Sequence, residues 1–174
     1  MKTLTDQLAK YAEYHRDVRN IATHLVGVPM IVVAVAVLLS RPAFEVAGLP
    51  LSPLVLVVLA TLAYYFALSV PYALAMTLIF AATLWFGAWS AAQSTGVWLG
   101  IGLGLFVVGW IIQFVGHYFE GRKPAFVDDA LGLIIAPLFI AAEVMFMLGL
   151  QKPLREAVEA KAGPLRGGAS VKAG

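Results

Sequence analysis

The sequence predicts an all-α integral membrane protein, a bundle of four to five membrane-embedded helices preceded by an N-terminal amphipathic helix. Of its 174 residues 61% are apolar and only 13% charged, too few polar side chains to cover a soluble domain of this size. Residues 46–119 contain no Asp, Glu, Lys or Arg at all, several times the roughly 18 apolar residues that suggest one span. The scarce charges and histidines gather at the ends of the apolar segments, above all in "QFVGHYFEGRKPA", residues 113–125.

The elements follow in order. Leu4, Leu8, Tyr11, Ala12 and Val18 recur at roughly helical spacing among polar residues, which predicts an amphipathic helix lying at the interface. A first span is expected from about Ile21 to Ser40, and "SRPAFEVAGLPLSP" reads as loop from its three prolines and its charges. A second span covers Leu54 to Ser69, and Pro71 marks a tight turn into a third over Tyr72 to Ala92. The fourth runs from Val97 to Val115 after "QSTG", and the fifth from Leu131 to Leu150. Residues 1–150 are thus expected to form a single integral-membrane helical domain. Residues 151–174 read as a polar tail that begins as a short helix and ends disordered.

Charge patterning conflicts with five full crossings. Lys2, Lys10, Arg16 and Arg19 favour a cytoplasmic N-terminus, while Lys152, Arg155, Lys161, Arg166 and Lys172 favour a cytoplasmic C-terminus. One apolar segment must fail to cross. The last is the suspect, because it contains Pro137 and Glu143, and an ionisable group at membrane depth faces protein or water rather than lipid. The opening "MKTLTDQLAKYAEYHRDVRN" is charged throughout, so no removable signal peptide is expected and the spans themselves direct insertion. A bacterial inner membrane and an endoplasmic reticulum membrane fit equally. Membrane lipids are expected partners and nucleic acid is not; a homo-oligomer is compatible with the sequence.

The chain has no cysteine, which excludes a disulfide framework and thiolate metal ligation. The polar residues embedded in the apolar chain are His15, Asn20, His24, His117, Glu120, Asp128, Asp129 and Glu143. Asp17, Asn20 and His24 share one helical face, whereas His15, nine residues before His24, points nearly opposite on a continuous helix. The helix must break for both imidazoles to converge. His117 and Glu120 stand three apart, a spacing that helical metal sites use. Imidazole with carboxylate suits non-haem iron, manganese or zinc. Arg122 beside such a site can pair with a carboxylate head group while an acyl chain lies along the spans.

Plainer roles fit the same residues. The histidines suit interfacial hydrogen bonding, and His117 with Glu120 suits a helix cap. Arg122 and Lys123 suit snorkelling, and Asp128 and Asp129 suit the N-cap and first turn of the last helix. Glu143 calls for a partner such as a histidine, an arginine or a metal. The glycines of "GVWLGIGLGLFVVG" and Gly87 suit close helix packing. The tryptophans suit interfacial belts or core packing.

"YHRDVRNIATHLVGVP", with Tyr14, His15, Asn20, His24 and Pro29, is followed far downstream by "GWIIQFVGHYFEGRKPAFVDDALGLIIAPLFIAAEVMF". The two motifs in that order resemble the family of 2-hydroxy fatty acid dioxygenases, small multi-span membrane proteins whose fungal member acts in phytosphingosine breakdown. The similarity reaches to about Leu150. It implies Fe(II)-dependent α-oxidation, in which dioxygen cleaves the C1–C2 bond of a 2-hydroxy fatty acid to give an acid one carbon shorter. By resemblance, His15, His24 and His117 are the metal ligands. Glu120 is a fourth ligand, a base or a neighbour of the ligands, and Asn20 or Tyr14 orients a ligand or oxygen. Arg122 or Lys123 neutralises the substrate carboxylate, and Glu143 stands further back. Arg16 occupies the place where fungal members carry a second histidine.

An alternative of a different class is a small proton-coupled membrane transporter in which Glu143, His24 and His117 form a relay through the bundle. A third is a structural or assembly factor, indifferent to alanine at any one histidine.

Overall fold

The computed structural model of the chain describes residues 2–47 and 49–167. It is all-α apart from one small hairpin: α1 (Leu4–Ala12), α2 (Val18–Leu39), β1 (Phe44–Val46), β2 (Leu49–Leu51), α3 (Pro53–Leu68), α4 (Val70–Ala91), α5 (Thr95–Glu120), α6 (Leu131–Met147) and α7 (Lys152–Ala162). Three of these, α2, α4 and α5, are long and apolar enough to cross a membrane. The 16 residues of α3 reach only about 24 Å at 1.5 Å per residue, short of a hydrocarbon core of about 30 Å.

The contacts divide the chain into two units, one formed by Met1–Val26 with Ile112–Gly174 and the other by Gly27–Ile111. In the second, α3 and α4 form an antiparallel pair joined at Ser69, with Pro71 in the first turn of α4. The stretch expected as loop instead contains β1 and β2, paired antiparallel with Phe44 opposite Leu51. A two-stranded ribbon has only edge strands, where proline is tolerated, so the prolines did not forbid it. A Cβ on Gly87 would sit 2.6 Å from the Leu54 side chain, and one on Gly102 2.6 Å from that of Leu38. Those glycines serve close packing, whereas Gly96, Gly100 and Gly104 face open space. The Trp98 indole donates to the Val37 carbonyl at 2.7 Å, while Trp85 and Trp89 are exposed.

The first unit positions the site. A capping box starts α1: Thr3 Oγ1 accepts from the Asp6 amide and Asp6 Oδ2 accepts from the Thr3 amide. Its Leu8, Tyr11 and Ala12 are buried, and the helix contacts α6 and α7. The apolar face is therefore covered by protein. Val18, expected on this helix, instead opens α2, because the chain leaves the helix after Ala12 and re-enters one only at Val18, past Asp17. There Asp17 Oδ1 caps the new helix by accepting the Arg19 amide at 2.9 Å.

Helix α5 runs five residues beyond the expected end and carries His117 and Glu120. It stops at Gly121, whose φ of +69° and bond from its amide to the His117 carbonyl form a left-handed cap. Asp128 and Asp129 precede α6 without forming its N-cap, which is Ala130. Asp129 bonds the Leu131 amide and Lys10, and Asp128 is drawn instead to Tyr14 and Lys123. Left-handed Gly149 and Gln151 end α6, and α7 leaves at 119° to it. Because α7 contacts α1, Lys152, Arg155, Lys161 and Arg166 lie in the same unit as Lys2, Lys10, Arg16 and Arg19. The end of the tail, residues 168–174, where disorder was expected, lies outside the described residues.

Candidate metal centre

The break between α1 and α2 swings His15 round to meet His24 on α2 and His117 on α5. One ring nitrogen from each lies within 4.8 Å of the others, and all three side chains are buried, His15 completely. The Tyr11 ring stacks flat on His15, centroids 4.3 Å apart and planes 6° from parallel.

Two backbone carbonyls settle the tautomers. His15 Nδ1 lies 2.8 Å from the Tyr11 carbonyl and His24 Nδ1 lies 2.9 Å from the Asn20 carbonyl. A carbonyl can only accept, so each Nδ1 carries the proton and each Nε2 is left with a bare lone pair. Those two Nε2 atoms face one another at 3.0 Å, an arrangement neutral rings cannot satisfy as a hydrogen bond. Protonation offers no easy escape, since burial and then the neighbouring His24 hold His15 well below its ordinary value of 6.5. The Nδ1 of His117 is buried with no hydrogen-bond partner. Lone pairs converging in a buried cluster, with the opposite ring nitrogens of His15 and His24 tied to carbonyls, are what a divalent transition metal requires of imidazole ligands. The donor set fits a metal.

Glu120 stands beside this cluster as an anchor. Its Oε2 accepts from the Arg16 amide (3.0 Å), the Asp17 amide (2.8 Å) and Asn20 Nδ2 (3.0 Å), and its Oε1 accepts from Arg166. The two amides belong to the non-helical turn that carries His15. Asn20 also donates to the Tyr14 carbonyl at 3.1 Å, so Asn20 and Glu120 together hold the break open. Close approach of α5 makes this reachable: a Cβ on Gly116 would fall 2.1 Å from Thr23 Oγ1 and 2.5 Å from Asn20 Oδ1.

Three other residues singled out from the sequence, Tyr14, Arg122 and Lys123, are linked through Asp128 and Glu13. The Tyr14 hydroxyl donates to Asp128 at 2.9 Å, and that carboxylate pushes the phenol's pKa up. Arg122 donates to the Glu13 carbonyl at 2.6 Å and lies over the Tyr14 ring, and Lys123 pairs with Asp128 at 2.6 Å. Glu143 is not among the histidines. It is buried in α6 and lines a small cavity with Arg16, Arg155 and Glu159.

Several contributors escaped the sequence reading. Arg16 counted there as a topology charge and as the residue standing where fungal relatives carry a second histidine, with no role of its own, yet it is buried, with Nε donating to the Ala12 carbonyl at 2.7 Å. Tyr11 appeared only as part of an apolar stripe. Gln113, one turn before His117, is buried with Oε1 lacking a hydrogen-bond partner; an amide alone in an apolar helix was the available signal. Arg166 had none, since 46 residues separate it from Glu120.

Comparison with known proteins places the chain in a family. The chain is 31% identical over 158 residues to the 2-hydroxy-palmitic acid dioxygenase MPO1 of Saccharomyces cerevisiae, covering 90% of this chain and 87% of that protein. No solved structure matches significantly. The family described as 2-hydroxy-palmitic acid dioxygenase Mpo1-like matches residues 1–148, a stretch that contains all three histidines, and the chain belongs to that family.

Proposed function

We propose that this protein is an Fe(II)-dependent dioxygenase that cleaves the C1–C2 bond of a 2-hydroxy fatty acid, giving an acid one carbon shorter. The observation that carries the reading is the buried convergence of His15, His24 and His117, with bare Nε2 lone pairs on the first two, in a relative of a 2-hydroxy-palmitic acid dioxygenase. The reaction balances with no further reductant. A 2-hydroxy acid and dioxygen yield the shortened acid, carbon dioxide and water, the four electrons lost by C1 and C2 reducing the dioxygen.

His15, His24 and His117 would hold the Fe(II), which supplies the redox chemistry with dioxygen that amino-acid side chains lack. The chain's own residues fix the site around it. The Tyr11 and Asn20 carbonyls lock the tautomers of His15 and His24. Asn20 and Glu120 orient the turn that presents His15, and Tyr14 takes part through its carbonyl. Arg122 or Lys123 receives the substrate carboxylate by exchanging the Glu13 carbonyl or Asp128 for it, while the acyl chain lies along the apolar helices. Glu143 acts at one remove, through Arg16. The N-terminus, with its basic residues, faces the cytoplasm.

The test is anaerobic purification in detergent, iron loading, metal analysis, and incubation with 2-hydroxyhexadecanoic acid in air. The expected result is about one iron per chain and release of the C15 acid, both lost in His24→Ala. A protein that binds no transition metal overturns the metal reading. A stoichiometric iron protein that leaves 2-hydroxy acids of every length intact overturns the substrate reading.

A further inference from the structure

Beyond the residues matched by the family, the chain returns to the site. Past the end of α7, the Arg166 amide donates to the Arg16 carbonyl at 2.7 Å and the Val18 amide donates to the Arg166 carbonyl at 3.0 Å, a parallel bridge that pairs Arg166 with Asp17. Arg16 reaches the other way, its Nη1 donating to the Gly163 carbonyl at 2.9 Å. The Arg166 guanidinium binds Glu120, whose other oxygen holds the Arg16 and Asp17 amides. Every one of these bonds ends on the non-helical turn next to His15, on the first residue of α2 that follows it, or on the carboxylate that anchors it.

We propose that residues 163–167 form a strap that completes the metal centre, with Arg166 as a positioning residue for His15. The physical need is plain. A chain leaving one helix and entering another exposes amides and carbonyls that must find partners when buried. Here Glu120 satisfies the amides of Arg16 and Asp17, while the strap satisfies the Val18 amide and the Arg16 carbonyl. The turn can hold His15 against His24 only while both are in place. Arg166 joins them, since its backbone bonds the turn and its side chain orients the carboxylate that grips it. Outer partners of this kind typically govern metal affinity by about 10- to 100-fold.

This inference rests on the metal centre proposed above, and the experiment separates the two. Full-length wild type, Arg166→Ala, Arg166→Lys and His24→Ala are compared for Fe(II) affinity, for the ligand-field spectrum of the Co(II)-loaded protein, and for hydrogen exchange of the Arg16, Asp17 and Val18 amides without metal. Arg166→Ala is expected to weaken Fe(II) binding by about tenfold or more, to alter the Co(II) spectrum, and to speed exchange of all three amides. Arg166→Lys, which restores a cation to Glu120, should recover a substantial part of each. If wild type binds metal, His24→Ala does not, and Arg166→Ala matches wild type in affinity and exchange, the strap is refuted while the centre stands. If wild type itself binds no metal, the centre fails, and amide exchange alone decides whether the strap holds the turn. Should Arg166→Ala elute as aggregate, a chain ending at Gly167 must keep wild-type exchange and affinity and one ending at Ala162 must lose both, or the strap as drawn is wrong.

Discussion

Replacing Glu120 tests whether a carboxylate on α5 holds open the break between α1 and α2. Glu120→Ala strands three buried donors: the Arg16 and Asp17 amides and Asn20 Nδ2, at 2.8–3.0 Å from Oε2. Hydrogen bonds to a charged group contribute about 1.5–3 kcal/mol each, but a shared acceptor makes them far from additive. Removing one partner of a buried charged pair costs about 3–5 kcal/mol. The Arg166 contact adds little ion-pair energy of its own to folding, because that side chain is 58% exposed and solvent screens it; its part is to orient the carboxylate that grips the turn. We therefore expect a loss of about 4 kcal/mol for Glu120→Ala. Glu120→Gln should cost about 2 kcal/mol, since an amide oxygen keeps the three donors at roughly half the strength while its NH2 group opposes Arg166. In a chain of this length 1 kcal/mol shifts Tm by about 2–4 °C, so melting followed by tryptophan fluorescence in detergent should fall by about 10 °C and about 5 °C respectively. An alanine variant melting within about 2 °C of wild type, with unchanged exchange at Arg16 and Asp17, would show that the carboxylate does not carry the turn.

Three further outcomes can be checked. Gly116→Ala drives a methyl group into Thr23 Oγ1 and Asn20 Oδ1, so it should destabilise by about 1–3 kcal/mol and weaken metal binding; Gly116→Ala with Thr23→Ala should recover part of both, and a lack of recovery would locate the clash elsewhere. Metal-free protein should lose stability as pH falls below 6.5. His15 is held below that value when folded, so the unfolded chain binds the proton first, and the loss approaches about 1.4 kcal/mol per pH unit down to the folded pKa, with none above 6.5. Denaturant titrations at pH 7.5, 6.5 and 5.5 should show this slope reduced in His15→Gln. The pair Arg122→Ala and Lys123→Ala should raise KM for a 2-hydroxy acid about tenfold with kcat little changed, whereas a fall in kcat at constant KM would remove them from carboxylate binding.

What composition and local periodicity control was legible in the sequence. A charge-free run over residues 46–119 leaves the backbone no option in lipid but helices that satisfy their own hydrogen bonds, and α3, α4 and α5 follow from it. The three-residue spacing of His117 and Glu120 placed both on one helical face because that relation is local. The nine-residue spacing of His15 and His24 went further and required a break in the helix. Where local signals mislead, the reading failed: prolines suggested loop where β1 and β2 pair, and Asp128, read with Asp129 as a helix start, is taken up by Tyr14 and Lys123, while Asp129 does bond the first amide of α6.

The sequence by itself determined that the chain is an apolar helical protein whose scarce imidazoles need a bend to meet. Only the tertiary structure decided how that bend is held. Glu120 lies 104 residues from the amide of Arg16, and Gly163 lies 147 residues from its guanidinium. A buried turn must recruit its hydrogen-bond partners from whatever packs against it, and no spacing along the chain records which distant segment that is.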